Sequence, residues 1–177
     1  MTAHVTTIEL SPYDPRWPAA FEAEADRLRG ALGSLALRID HHGSTAVVGL
    51  AAKPVIDIQV SVAALRPLDG YSDRMTPLGY VHVPHADDAF CPFFHRPASW
   101  PHTHHVHLVQ SGGREERRTL AFRDYLREHP EAAREYESLK RELASRFPPG
   151  RADDYASAKT DFVERIIAEA FAAGYPR

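Results

Sequence analysis

Residues 41–60 read HHGSTAVVGLAAKPVIDIQV, a glycine-serine turn followed by the start of a strand that continues to Val62. Over 54–62 every second residue is a branched aliphatic one, and Asp57 and Gln59 occupy positions between them. Successive side chains of a strand point to opposite faces of the sheet. The stretch therefore predicts a strand with one aliphatic face for the core and one polar face that carries Asp57 and Gln59.

The turn at Gly43-Ser44-Thr45 follows a shorter predicted strand over 36–42. Backbone N–H groups and a hydroxyl in such a turn suit a phosphate group, and an aspartate on the next strand suits a hard cation. Lys53 adds a positive charge at the entrance to that strand. The pattern indicates either a site for a metal-bound nucleotide or a tight turn beside a solvent-facing aspartate, and the spacing alone leaves both open.

The pattern outside this stretch indicates the fold class. A first helix is expected to start with Asp14 as its N-cap, and a last one with Asp153 or Asp154. Between them, alternation and helical periodicity predict a helix at 69–77, strands at 80–83, 90–96 and 104–110, and helices at 114–129 and 131–147. The order predicts an α+β fold with a mixed or antiparallel sheet backed by helices and a C-terminal group of three helices. We expect one domain over 1–177, with the sheet core at about 8–112 and the helical part at about 113–177.

Composition limits the functional classes. The chain has 177 residues, and 21 basic against 24 acidic side chains give a formal charge of −3, so long nucleic acid is not expected as the main partner. Cys91 is the single cysteine, which excludes an internal disulfide framework and a cysteine-only zinc site. No apolar run approaches the length of a membrane span and the first residues do not resemble a signal peptide, so we expect a cytoplasmic protein without a membrane partner.

Histidine is concentrated in one segment. Seven of the 11 histidines lie between His82 and His107, and His105 and His107 share one face of the strand predicted at 104–110. Two imidazoles on one face can bind a metal or a phosphate, or can simply be polar residues on the wet face of a strand. The three alternating histidines of the histidine-triad hydrolases are absent, because Thr103 and Val109 occupy the flanking positions.

The predicted C-terminal helices supply further candidates for phosphate binding. Arg123, Lys140 and Lys159 are basic, and Asp124 and Tyr155 accompany them. Basic side chains on helices that face a sheet can bind phosphates. For any one of them alone, a solvated charged surface is the other interpretation.

These segments together resemble the GrpB family. The match extends from about residue 8 to 170, and Val48 stands where the family usually has proline. It rests on four stretches: 13–17 (YDPRW), 41–60, 105–109 (HVHLV) and 122–127 (FRDYLR).

The resemblance implies the nucleotidyltransferase superfamily of DNA polymerase β, with a mixed sheet and helices on one side of it. It also implies carboxylates that hold two Mg²⁺ ions and a glycine-serine turn that meets the nucleotide phosphates. Gly43, Ser44 and Asp57 fit this pattern, whereas Gln59 stands where the second metal-binding carboxylate belongs. By the same resemblance, His105 or His107 would replace the third carboxylate.

We therefore predict a protein that binds a small phosphorylated ligand, a nucleotide, and transfers a nucleotidyl or phosphoryl group with a divalent metal (Mg²⁺, Mn²⁺ or Zn²⁺). Asp57, His105 and His107 are the expected catalytic and metal-binding residues. The expected ligand-binding residues are Gly43, Ser44, Lys53, Gln59, Arg123, Lys140, Tyr155 and Lys159. Two alternatives stay open: a non-catalytic binding module that kept the fold, and a transition-metal hydrolase in which His41 joins Asp57, His105 and His107.

Overall fold

A five-stranded mixed sheet forms the centre of the molecule in the computed structural model, which describes residues 9–148 and 150–176. Its strands follow one another in the spatial order β1-β2-β5-β4-β3. Strands β2 and β5 are parallel, and the other three pairs are antiparallel. The strands are β1 (Arg38–His42), β2 (Ile56–Val62), β3 (Val81–His82), β4 (Phe93–Arg96) and β5 (His104–Gln110).

Of the described helices, α1 precedes the strands in the chain, α2 lies between β2 and β3, and the others follow β5. They are α1 (Trp17–Leu32), α2 (Asp69–Met75), α3 (Arg114–Glu128), α4 (Pro130–Arg146), α5 (Ala152–Ser157) and α6 (Thr160–Ala172). The α+β class is confirmed, but the C-terminal group contains four helices instead of the predicted three. A turn at 158–159 separates α5 from α6, and within it the N–H of Lys159 bonds to the carbonyl of Ala156.

The predicted helix caps are wrong. Helix α1 begins after Arg16, and the carboxylate of Asp14 accepts a hydrogen bond from the N–H of Arg16 at 2.9 Å, outside the helix. At the other end of the chain, Asp153 and Asp154 both lie inside α5, which begins after Arg151. None of the described helices is long and apolar enough to cross a membrane.

One face of the sheet carries the hydrophobic core. Ile56, Ile58 and Val60 of β2 pack there against α1 and α2, as the alternation of β2 predicts. Helix α3 packs across the opposite face, against β1 and β5. Helices therefore lie on both sides of the sheet, not on one side as the resemblance implies.

The opposite face carries two rows of polar side chains that run across β1, β2 and β5. The first row aligns His42, Asp57 and His105, and the second aligns Asp40, Gln59 and His107. The parallel pairing of β2 with β5 creates these rows, because it sets Asp57 beside His105 in register. The polar face predicted from β2 alone thus becomes a surface built from three strands.

Candidate functional site

A cavity of about 540 Å³ opens over the first polar row, at the turn between β1 and β2. Its walls come from that turn, from β2 and β5, from the segment between β4 and β5, and from α4 and α5. The volume is within the range of small-molecule sites. Nine of the predicted site residues line it: Gly43, Ser44, Lys53, Asp57, His105, His107, Lys140, Tyr155 and Lys159.

Gly43 brings the turn into close contact with Asp57. Its φ is +69°, a conformation that disfavours side chains, and a Cβ atom there would lie 2.5 Å from Oδ2 of Asp57. Glycine is thus required at 43 both by the backbone conformation and by the space that the carboxylate takes.

Asp57 begins a chain of polar contacts that follows the cavity wall. Its Oδ1 lies 3.2 Å from Nδ1 of His105, and Nε2 of His105 lies 3.2 Å from Nδ1 of His102. Burial alone would raise the pKa of Asp57, but the hydrogen bond from His105 and the nearby His42 and His107 outweigh it and hold the pKa below its usual range. Asp57 therefore remains an ionised carboxylate at neutral pH.

Three lysines give the cavity its positive charge. Nζ of Lys159 lies 4.4 Å and Nζ of Lys53 5.4 Å from the ring centre of Tyr155, and Nζ of Lys140 lies 4.8 Å from that of Tyr136. Burial and the neighbouring Lys159 lower the pKa of Lys140 to about 7, and burial and the neighbouring Lys53 lower that of Lys159 to about 8. Burial also lowers the pKa of Lys53. The amines are thus close enough to repel one another.

Lys140 has a structural task within this group. Its Nζ donates to Oγ of Ser44 at 3.0 Å and to the carbonyl of Ala51, and the residue is only 2 % exposed. It therefore ties helix α4 to the glycine-serine turn. Lys53 and Lys159, in contrast, make no hydrogen bond or ion pair with any described residue, so their amines are available to a ligand.

His107 of β5 lines the cavity, and its ring reaches across β2 to His42 of β1. Its ring centre lies 5.1 Å from that of His42, and its Nδ1 lies 3.7 Å from Sγ of Cys91. Burial and the neighbouring His42 lower the pKa of His107 to about 3, so the imidazole is neutral. Burial also raises the pKa of the Cys91 thiol to about 12, so this thiol is not a nucleophile at neutral pH.

The family model described as GrpB protein matches residues 7–169 of this chain. The chain belongs to the GrpB family. A UPF0157 protein of Pseudomonas aeruginosa is 40 % identical over 174 residues, covering 94 % of this chain and 69 % of the relative. A UPF0157 protein of Halalkalibacterium halodurans is 38 % identical over 168 residues, covering 94 % of this chain and 84 % of the relative.

A solved structure supports the fold of this GrpB-family chain. The crystal structure of the conserved protein GrpB from Enterococcus faecalis matches it with a TM-score of 0.82 and 36 % identity, covering 92 % of this chain and 96 % of that one. A dephospho-CoA kinase of Mycolicibacterium paratuberculosis is 34 % identical over 176 residues, covering 86 % of this chain. The match spans only 43 % of that kinase, so its GrpB-like region belongs to a longer chain.

Gln59 does not reach the cavity, although it shares the polar face with Asp57. It is 0 % exposed and aligned between Asp40 and His107. Neither its Oε1 nor its Nε2 has a hydrogen-bond partner among the described residues. Gln59 is excluded from the cavity by the packing of the helices on the sheet, because α3 covers the row of Gln59 whereas the cavity opens over the row of Asp57.

Arg123 and His41 also lie outside the cavity. Arg123 donates to the backbone carbonyl of His41 at 3.1 Å and pairs with Asp124, so it joins α3 to β1. The side chain of His41 lies on the α1 side of the sheet, where its ring stacks on Phe21 at 4.8 Å and its Nε2 lies 2.9 Å from Oγ1 of Thr45. Because side chains alternate along β1, it is His42 that shares a face with Asp57.

The residues of the cavity do not fit the metal sites considered from the sequence. Among residues 9–148 and 150–176, no three His, Cys, Asp or Glu side chains are placed to hold one metal ion. Of the carboxylates that the structure describes, only that of Asp57 belongs to the cavity lining, and its Oδ1 contacts His105. With Gln59 buried and His41 on the other face, neither a two-Mg²⁺ site nor a four-ligand hydrolase site is formed by these side chains.

Sequence reasoning missed several aromatic residues of the cavity. Tyr136 is buried but also lines the wall, and Phe93, Trp100 and His102 line the side formed by β4 and the segment after it. The number of lysines could have indicated this site, because the chain has only three, Lys53, Lys140 and Lys159. All of them line this cavity.

Proposed function

We propose that this GrpB-family protein binds a small phosphorylated molecule in the cavity, with its phosphate groups against Lys53, Lys159 and the turn at Gly43 and Ser44. The observation that carries the proposal is the convergence of every lysine of the chain on one cavity, in which the described residues include a single carboxylate, Asp57. Phosphate is a multiply charged anion, and Lys binds it as a point charge.

The electrostatics of the cavity favour such a ligand. Burying a positive charge without a partner is unfavourable, and three amines in one cavity repel one another as well. A phosphate between Lys53 and Lys159 would supply the missing opposite charge. Because Lys140 already holds Ser44 in place, the turn is ordered before the ligand arrives, which lowers the entropic cost of binding.

The geometry favours binding over the metal-dependent transfer that the resemblance implies. Transfer by two metal ions needs at least two carboxylates at the phosphates, and Asp57 is the one carboxylate among the described residues that line the cavity. Asp57 is better placed to orient His105, which then presents its ring to the ligand. The relatives named dephospho-CoA kinase support phosphorylated coenzymes as candidate ligands to be tested.

The test is a calorimetric titration of the chain with pyrophosphate, ADP and dephospho-CoA, without metal and with 5 mM Mg²⁺. Lys53→Gln and Lys159→Gln should each weaken binding about tenfold or more, since each removes a charge-assisted contact. Arg117→Gln removes the same charge from the exposed surface of α3 and should bind like the parent. Absence of binding by all three compounds under both conditions, or equal weakening by Arg117→Gln, would refute the proposal.

A further inference from the structure

The aromatic rings that line the cavity differ in whether other side chains already cover their faces. On the helical side, the ring of Tyr155 is covered by Lys53 and Lys159, and Tyr136 packs between Lys140 and Phe162, whose ring centre lies 5.1 Å away. Among the described residues, neither of these rings has a face left for a ligand.

The opposite wall is aromatic and carries no fixed charge. It is formed by Phe93 of β4 and by Trp100 and His102 from the segment between β4 and β5. His102 stacks on His95 at 3.8 Å, and Trp100 meets His102 edge-on, with ring centres 5.1 Å apart and planes at 66°. Within the described part of the chain, this edge contact is the one ring contact of Trp100, so no other ring covers the faces of its indole, and the side chain lines the cavity.

The imidazole of His102 adds to the apolar character of this wall. Its Nδ1 is engaged by His105, and burial with the neighbouring His95 lowers the pKa of His102 to about 4, so the ring is uncharged at neutral pH. An uncharged, fixed imidazole beside an indole offers a surface to flat rings rather than to anions.

One wall of the cavity carries the lysines and the other is aromatic and uncharged. We therefore propose that the phosphorylated ligand carries a flat heteroaromatic ring, as a nucleotide does. This ring stacks on Trp100, while the phosphates of the ligand lie at Lys53 and Lys159. The inference rests on the proposed function, since it places the organic part of the same ligand. A cavity of about 540 Å³ has room for a ring and a phosphate chain together. Stacking on aromatic side chains tolerates any base, because every base has a π-face.

The chain contains a built-in reporter for this inference. It has two tryptophans, and Trp17, the first residue of α1, is 6 % exposed in the core and does not line the cavity, so a ligand there changes the emission of Trp100 alone. Titrations with ADP and with pyrophosphate compare a diphosphate with and without a nucleoside, and the Trp100 variants then separate the contribution of the base from that of the ribose. ADP should quench the fluorescence and bind about tenfold more tightly than pyrophosphate.

Two substitutions complete the experiment. Trp100→Leu should weaken ADP binding, measured by calorimetry, about tenfold and leave pyrophosphate binding unchanged, whereas Trp100→Phe should retain most of the ADP affinity. Equal affinities for ADP and pyrophosphate in the parent, or an unchanged ADP affinity in Trp100→Leu, would overturn the stacking site and leave the proposed function intact. If neither ADP nor pyrophosphate binds the parent, this inference fails, and the proposed function fails with it only if dephospho-CoA does not bind either. A circular-dichroism melt of each variant checks the fold, and if Trp100→Leu does not fold, the comparison of ADP with pyrophosphate in the parent decides the question.

Discussion

A Cβ atom on Gly43 would lie 2.5 Å from Oδ2 of Asp57 and 3.0 Å from its Cβ. The turn after β1 and the carboxylate of β2 are therefore in direct contact, without room for a methyl group. This contact links a glycine to an aspartate 14 positions later and explains why both belong to one structural unit. It also fixes the side chain of Asp57 in the orientation that meets His105.

Gly43→Ala should destabilise the protein by more than backbone strain alone. A positive φ costs about 1–3 kcal/mol for a side chain, and the clash with Asp57 should add about 1–3 kcal/mol. Gly33→Ala is the matched control, because Gly33 also has a positive φ (56°, against 69° for Gly43) but no neighbouring atom within 4 Å of the place that a methyl group would take. Equal losses of unfolding free energy in chemical denaturation of the two variants would show that the contact with Asp57 carries no strain.

The strands could be predicted well because their signal is local. Strand β5 has the predicted bounds 104–110, and the alternation of β2 placed Asp57 and Gln59 on one face, as found. Strand pairing is not local, so the sequence did not show that β2 lies parallel to β5 or that His42, and not His41, stands beside Asp57.

Coverage of a sheet face is equally non-local. Nothing in the pattern of β2 distinguishes Asp57, over which the cavity opens, from Gln59, over which α3 packs. Residue type, not periodicity, nominated Lys140 of α4 and Tyr155 of α5 for the site. Trp100 and His102 lie in an irregular segment, where side-chain directions do not repeat along the chain and cannot be predicted from a sequence pattern.

Gln59→Leu should be neutral or stabilising. Both amide atoms of Gln59 are buried without a hydrogen-bond partner among the described residues, and an unsatisfied buried polar group costs about 1–3 kcal/mol. Gln59→Asp, which restores the carboxylate expected from the resemblance, should instead destabilise the protein, because it buries a charge beside Asp40 without reaching the cavity.

Denaturant midpoints with and without 5 mM Mg²⁺ check both substitutions. We expect Gln59→Asp to gain no more stability from Mg²⁺ than the parent does. A selective gain by this variant would mean that position 59 contributes to a metal site after all.

Chemical labelling should distinguish the amine of Lys159, which is available to a ligand, from that of Lys140, which is held in the structure. The pKa of Lys140 is lowered to about 7 by burial, but this side chain is 2 % exposed and hydrogen-bonded, so a reagent cannot reach its amine. Lys159 is half-buried without a hydrogen bond to any described residue, and burial and Lys53 lower its pKa to about 8. Lys159 should therefore react with an amine-directed reagent at pH 8 well before Lys140 does. Mass spectrometry of the peptides measures this order directly, because the chain has no other lysine besides these two and Lys53.

Pyrophosphate should slow the labelling of Lys53 and Lys159 together if it binds between them. Chloride at the same ionic strength is the control, since it screens charge without a shaped contact. Labelling that proceeds at the same rate with both salts would place the anion elsewhere or nowhere.

Lys159 should also make stability depend on pH in a specific direction. In the unfolded chain its amine keeps a proton up to about pH 10.5, near the ordinary value for lysine, whereas burial and Lys53 lower the folded-state pKa of Lys159 to about 8. Between these values the unfolded state binds more protons, so the free energy of unfolding rises with pH, by at most about 1.4 kcal/mol per pH unit for one proton. Below pH 8 the folded protein must hold the charged amine, and that contribution to stability is lost.

The measurement compares the parent with Lys159→Gln and Lys159→Arg in urea at pH values from 7 to 9.5. Cys91 and the buried tyrosines work in the opposite direction, because burial raises their pKa values, but they are the same in all three proteins and cancel in the differences. Lys159→Gln should be more stable than the parent at pH 7, and this advantage should shrink as the pH rises. Lys159→Arg keeps its charge throughout, so its stability should stay low and fall further behind the parent with rising pH. If the free energies of unfolding of the three proteins instead change with pH in parallel, the folded state does not disfavour the charged amine of Lys159. The electrostatic argument for a phosphorylated ligand then loses its main support.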